Sequence, residues 1–137
     1  MLRTPIVTGK PIDTKYQYAP AVAVRASGLL FISGMVGWDA NGVVVGVGDP
    51  GRQARQAFEN LKDVLAAAGA TFDDVVMETE YIVDMSQYRE IGRVRNEYFR
   101  HEYPAATLVE VRRLFKPDIL FEVQAIAVLP EAPDNLR

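Results

Sequence analysis

Close to its C-terminal end the chain runs Leu120-Phe121-Glu122-Val123-Gln124-Ala125-Ile126-Ala127-Val128-Leu129. Successive side chains of a strand point to opposite faces, so Phe121, Val123, Ala125, Ala127 and Leu129 form one wholly apolar face. Such a face needs helices over it. The other face carries Leu120, Glu122, Gln124, Ile126 and Val128, too apolar for open water yet broken by a carboxylate and an amide. Covering it with the sheets of other copies of the chain gives a homo-oligomer with inward-facing sheets. The alternative is a partly exposed sheet face in a monomer.

The segments upstream supply the helices and the remaining strands. Ala54, Ala57, Phe58, Leu61, Val64, Leu65 and Ala68 recur at three- and four-residue steps with polar residues between, the pattern of an amphipathic helix. Its ends are written locally. Asp49 can cap the free amides, Pro50 suits the first helical position, and Gly69 supplies the left-handed residue that stops it. Tyr88, Ile91, Val94, Arg95 and Tyr98 predict a second helix after the cap-like Asp84-Met85-Ser86-Gln87, ending near His101 because Pro104 forbids continuation. Ser27-Gly28 predicts a hairpin between Ala21 to Val24 and Leu29 to Val36. Val75 to Val83 alternates as a third strand, with Met77, Thr79, Tyr81 and Val83 opposite Val76, Glu78, Glu80 and Ile82. Thr107 to Arg112 and Leu120 to Leu129 complete the strands, around a turn at Lys116-Pro117-Asp118. The tail from Pro130 to Arg137 is expected to be loosely held. Gly42 to Gly48 reads equally as a mobile loop or a short edge strand.

Strands, helix, strand, helix, strands, with too few helices to cover two faces, predict an α+β fold: a mixed sheet packed on one face by two helices. The 137 residues, 49% hydrophobic and 24% charged, suit one domain spanning residues 1–137. The absence of Cys and a single His argue against disulfides, thiolate nucleophiles and zinc. No metal or organic cofactor is expected. A formal charge of -3 makes nucleic acid a poor partner. No apolar run of the ~20 residues that span a bilayer is present, so no membrane partner is expected and a cytoplasmic location is the default reading.

Glu122 is the leading catalytic candidate. A carboxylate among apolar neighbours on a half-covered strand is desolvated, which raises its pKa toward a range useful for acid–base work. The competing reading is an ion-pair partner at a subunit interface. Tyr18 precedes the hairpin, where it could close over a pocket or pack in the core. In Ser33-Gly34-Met35 the glycine admits a ligand or another backbone, or marks a bulge. Asn96 sits on the second helix between Arg95 and Glu97. His101, near a helix end, suits a structural role. Gly42, Gly46 and Gly48 fit no nucleotide-binding fingerprint. Arg52, Arg55, Arg93, Arg95, Arg112 and Arg113 are dispersed among acids and read as solvated faces and ion pairs.

These signals fall in the order of a known family. Tyr18-Ala19-Pro20-Ala21-Val22, Gly28-Leu29-Leu30-Phe31-Ile32-Ser33-Gly34, Gln56-Ala57-Phe58-Glu59-Asn60-Leu61, Leu65 to Ala70, Asp73-Asp74-Val75-Val76, Asn96-Glu97-Tyr98-Phe99 and Pro104-Ala105 each resemble a block of the Rid (YjgF-like) enamine/imine deaminases. So does Val109-Glu110-Val111, followed by Phe121-Glu122-Val123-Gln124-Ala125 where the family has Glu-Ile-Glu-Ala. The resemblance implies a chorismate-mutase-like fold, a homotrimer, and small-molecule clefts between subunits.

It also implies a site containing Glu122, Tyr18, Ser33, Gly34, Met35, Asn96, Ala106 and Thr107. In the family's deaminases a motif arginine clamps the substrate carboxylate while a strand glutamate positions water for attack on the imine carbon. Glu122 matches the glutamate, but Ala106 stands at the arginine. A methyl group supplies none of the bidentate hydrogen bonds of a guanidinium. Met35 stands where Gln is frequent, Thr107 keeps the hydroxyl of the usual Ser, and Gln124 replaces a second carboxylate. Arg112, or an arginine of a neighbouring subunit, is a candidate substitute. The expected function is an imine or enamine hydrolase of altered substrate range; the alternative is a non-catalytic small-molecule-binding or regulatory trimer.

Overall fold

The structure is a computed structural model that describes residues 2–130. The elements in chain order are β1 (Thr4–Ile6), α1 (Ile12–Lys15), β2 (Ala21–Val24), β3 (Leu29–Val36), α2 (Pro50–Ala67), β4 (Val75–Ile82), α3 (Tyr88–Arg95), β5 (Ala105–Glu110) and β6 (Phe121–Val128). One-turn 3-10 helices at Phe72–Asp74 and Met85–Gln87 lead into β4 and α3. The strands form one six-stranded sheet in the order β1-β2-β3-β6-β4-β5, with β4 and β5 parallel and every other neighbouring pair antiparallel. β6 is therefore central. Crossovers through α2 and α3 put both helices on one face, the expected α+β layering.

The helix-side face of β6 is apolar as its alternation predicts. Phe121, Val123, Ala125, Ala127 and Leu129 are buried with Phe58, Leu61 and Leu65 of α2 and Ile91 and Val94 of α3. α2 has the ends read from sequence. The Asp49 side chain accepts from the Arg52 amide at 3.0 Å, Pro50 opens the helix, and Gly69 beyond it has φ +76°. The β2–β3 hairpin likewise turns at Gly28, with φ +71°.

Several expectations are corrected. α3 stops at Arg95, not near His101. Its successors Tyr98 and Phe99 instead pack on Phe58 and Phe72, and the Tyr98 hydroxyl donates to Glu59 at 2.7 Å. Aromatic packing draws the chain off the helix well before Pro104. His101 consequently lies past the helix, exposed and 3.6 Å from the Asp73 carboxylate. β5 runs from Ala105 to Glu110 rather than from Thr107 to Arg112, because its pairing with β4 begins at Met77–Ala105. β1 and α1 were not expected. The glycine-rich segment is a loop tied by one isolated bridge between Trp38 and Val44. Of the tail, residues 131–137 lie outside the described residues.

Arg95 is the largest departure. It lies against β4 rather than in solvent, with Nη2 2.9 Å from Glu78 Oε1 and Nε 2.8 Å from Glu80 Oε2. Its guanidinium also covers the Phe99 ring at 4.8 Å. Both glutamates are buried, so the alternation that puts them on the helix-side face of β4 is balanced by an ion-pair cluster. Burial, then hydrogen bonding and charge from Glu78, push the Glu80 carboxyl up to about 9.

Candidate functional site

Glu122 is the second residue of β6, opposite Val36 of β3 and Tyr81 of β4, and points away from the helices. A β-bulge between Ile32 and Met35 puts Gly34 beside it. The approach is so close that a β-carbon at Gly34 would fall 1.8 Å from Glu122 Oε2. The two readings of the Ser33-Gly34 segment, bulge and close approach, thus describe one feature. Burial raises the Glu122 pKa, and no hydrogen bond or ion pair engages its carboxylate among the described residues.

Above the carboxylate lies a cleft of about 310 Å³. Ser33, Gly34 and Glu122 form its polar end, while Tyr16, Trp38, Phe115, Tyr18 and Val36 form the rest. The Tyr16 and Trp38 rings stack at 5.8 Å and 18°, and Phe115 stands edge-on to both, at 5.2 Å and 81° from Tyr16 and 6.4 Å and 90° from Trp38. The result is a continuous aromatic wall. Sequence reading missed it because its three rings come from three separate loops with no shared periodicity.

Buried amides of α2 hold those loops in place. Gln53 Nε2 donates to the carbonyls of Gly46 at 3.2 Å and Asp118 at 2.8 Å, while its Oε1 accepts from the Leu120 amide at 2.8 Å. Asn60 Nδ2 donates to the Val36 and Trp38 carbonyls, each at 2.9 Å. α2 thereby fixes the chain on both sides of the cleft. Ser33 acts similarly: its amide donates to Pro20 at 2.9 Å and its hydroxyl to Ala19 at 2.6 Å, securing the segment that carries Tyr18. Burial raises the Tyr18 pKa, with Asp13 and Glu122 adding to the effect.

Of the eight residues singled out in the sequence, Tyr18, Ser33, Gly34 and Glu122 meet in this cleft. The other four do not line it. Met35 belongs to the core cluster on the opposite face of the sheet. Asn96 caps the end of α3 and is exposed. Ala106 and Thr107 lie on β5, two strands from β6 and so roughly 10 Å away across the sheet. Ala106 pairs with helix-facing Glu78, and Thr107 with Thr79 on the open face. Arg112, beyond the end of β5, is exposed. No group of three or more His, Cys, Asp or Glu side chains among the described residues could hold a metal ion.

Residues 8–129 match the family model described as Endoribonuclease L-PSP. The 3-aminoacrylate deaminase RutC of Acinetobacter baylyi is 37% identical over 118 residues, 85% of this chain and 93% of that protein. A protein of unknown function of the conserved Rid family, YyfA from Yersinia pestis, superposes with a TM-score of 0.83 at 29% identity, over 92% of this chain and 98% of its own. The chain belongs to the Rid (YjgF-like) family. E. coli TdcF, solved with bound serine, superposes with a TM-score of 0.81 at 29% identity, over 91% of this Rid chain and 98% of TdcF. The sheet with its helices on one face is accordingly the chorismate-mutase-like fold expected from the resemblance.

Proposed function

We propose that this Rid chain is a hydrolytic deaminase of small reactive enamines and imines, with Glu122 positioning the attacking water. One observation carries the reading: a half-desolvated carboxylate, seated in the space left by Gly34 and without a partner among the described residues, faces a cleft of ligand size. Glu122 accepts a proton as the water oxygen bonds to the imine carbon, and the C=N bond becomes a C–N single bond. Protonation of nitrogen and cleavage of that bond release ammonia and leave a carbonyl. No redox partner is required. The likeness to a 3-aminoacrylate deaminase supports the reaction class.

The working form in this proposal is a homotrimer, with a neighbouring subunit completing each cleft. Exposed apolar side chains on the open face of the sheet support it, with Phe31 43%, Met77 46% and Val128 39% exposed. Ala106 on the edge strand cannot reach Glu122 of its own chain, so the Pro104–Thr107 segment would join a site only through a second copy.

Ala106 also favours a second reading, a small-molecule binder that keeps the cleft without catalysis. Purified protein added to enamines and imines generated in situ, with ammonia release followed, separates the two. Acceleration that Glu122→Gln abolishes supports the deaminase. No acceleration across carboxylated and uncharged imines leaves the binder.

A further inference from the structure

The cleft opens where two strands part. Val36–Glu122 is the last pair in the β3–β6 register, and beyond it neither chain continues the ladder. The Val36 and Trp38 carbonyls accept from Asn60 Nδ2, each at 2.9 Å, while the Leu120 amide donates to Gln53 Oε1 at 2.8 Å. These two amides stand two turns apart on one face of α2, so they draw the departing chains to separate points along the helix. Trp38 leaves on one arm. Phe115 lies on the other, where Gln53 Nε2 also holds the Asp118 carbonyl at 2.8 Å. Gln53 meets the first arm as well: a β-carbon at Gly37 would lie 2.7 Å from the Gln53 carbonyl oxygen, so only glycine lets the chain before Trp38 come this close.

Two ammonium groups brace the rings. Lys15 Nζ lies 5.8 Å from the Tyr16 centroid and Lys116 Nζ 5.6 Å from the Trp38 centroid. They donate to the Asn41 and Gly42 carbonyls, each at 3.0 Å, and that loop is itself tied at Gly46 to Gln53. Gln53 and Asn60 are both buried within the one chain, so a neighbouring subunit that completes the cleft leaves this scaffold in place.

We infer that Gln53, with Asn60, is a specificity-determining residue that touches no ligand: by holding the two arms apart it fixes where the aromatic wall stands relative to Glu122, and with it the size of substituent the cleft accepts. The kinetic consequence rests on the deaminase reading; the placement of the wall does not. Glu122 is held independently, by its pairing with Val36 on one side and Tyr81 on the other. Loss of the Gln53 side chain therefore moves the wall and leaves the reacting group. Imines whose substituent reaches the wall are then disfavoured relative to small ones. A merely structural role has another signature, since a smaller folded fraction lowers the turnover of every substrate alike.

Gln53→Leu in the full chain tests this. Ammonia release is followed from 2-iminopropanoate and from 2-imino-3-phenylpropanoate, each made by an amino-acid oxidase, and the ratio of their kcat/KM values is compared with that of the wild type. The ratio cancels the active fraction. It should shift at least about tenfold against the bulkier imine, the scale of a one-methylene misfit in an apolar pocket. Trp38, the chain's one tryptophan, gives a reading that needs no turnover. It is 8% exposed, and acrylamide should quench it more strongly in Gln53→Leu at temperatures well below the melting transition. Gly37→Ala presses on the same contact from the other arm and should move both readings in the same direction, which keeps the test open should Gln53→Leu not fold. Unchanged quenching in a folded variant overturns the inference, and so does stronger quenching with an unchanged ratio. If the wild type hydrolyses neither imine, the deaminase reading fails; stronger quenching in the variants then upholds the positioning role, and unchanged quenching overturns it.

Discussion

Glu122 occupies the space that a side chain at position 34 would need: the β-carbon of an alanine there would stand 1.8 Å from Oε2. Gly34→Ala must therefore swing the carboxylate aside. Glu122 faces a cleft and has somewhere to go, so the fold should survive with a melting temperature changed by only a few degrees. Under the proposed mechanism, turnover of an imine substrate should fall about 100-fold, the cost expected of displacing a catalytic group by about 1 Å. Parallel thermal melts and ammonia-release assays check both halves.

Glu122→Gln should lower turnover by about 10²–10⁴-fold, the usual contribution of a positioned acid–base group. In the proposed mechanism Glu122 must be ionised to act as the base, and burial raises its pKa, so wild-type activity should rise with pH across a midpoint above the ordinary carboxylate range. Stability should show the reverse dependence. A carboxyl with a raised folded pKa contributes fully below its unfolded pKa, and that contribution is lost as pH rises through the folded value. The melting temperature of Glu122→Gln should thus gain on the wild type as pH increases through the shifted range. An equal difference at all pH values would refute the desolvation.

The Glu78–Glu80–Arg95 cluster gives a second pH signature. With its pKa near 9, Glu80 keeps its proton at neutral pH, and Arg95 need not balance two anions. A proton on Glu80 also answers the two oxygens without partners, Glu78 Oε2 and Glu80 Oε1. The stability this group supplies is complete below its ordinary value of 4.5 and lost as pH rises through about 9. Urea denaturation at about pH 6 and about pH 10 should show the loss in the wild type and a much smaller one in Glu80→Gln.

Arg95→Met should be severely destabilising, by about 3–5 kcal/mol, because it strips the counter-charge from buried carboxyls. Chemical denaturation at neutral pH measures it. A change below about 1 kcal/mol would place the guanidinium in the class of surface pairs.

Gln53→Leu removes three hydrogen bonds that tie α2 to the loops around the cleft. Stranding two carbonyls and an amide should cost roughly 2–4 kcal/mol. The Trp38 emission spectrum should shift at temperatures below the unfolding transition, as the loop carbonyls at Gly46 and Asp118 lose their anchor. An unshifted spectrum would mean that Asn60 alone holds the wall.

Where an element's instructions are local, the sequence alone determined it. Asp49, Pro50 and Gly69 delimit α2 because caps and left-handed residues act within one turn; Gly28 makes the hairpin for the same reason, and the period of two in β6 assigns its buried face. The family blocks also lie in sequence, so the fold and the candidacy of Glu122, Tyr18 and Gly34 could be read there. Tertiary structure decided which of those candidates meet. Met35 has a neighbour in the cleft yet faces the core, since adjacent side chains diverge, and Ala106 is held two strands away by the β6-β4-β5 order. The burial of Arg95 against two glutamates, and the convergence of Tyr16, Trp38 and Phe115 from three loops, depend on contacts between residues far apart in the chain. Periodicity reports the side of an element on which a residue lies; what waits on that side is set by how the elements pack.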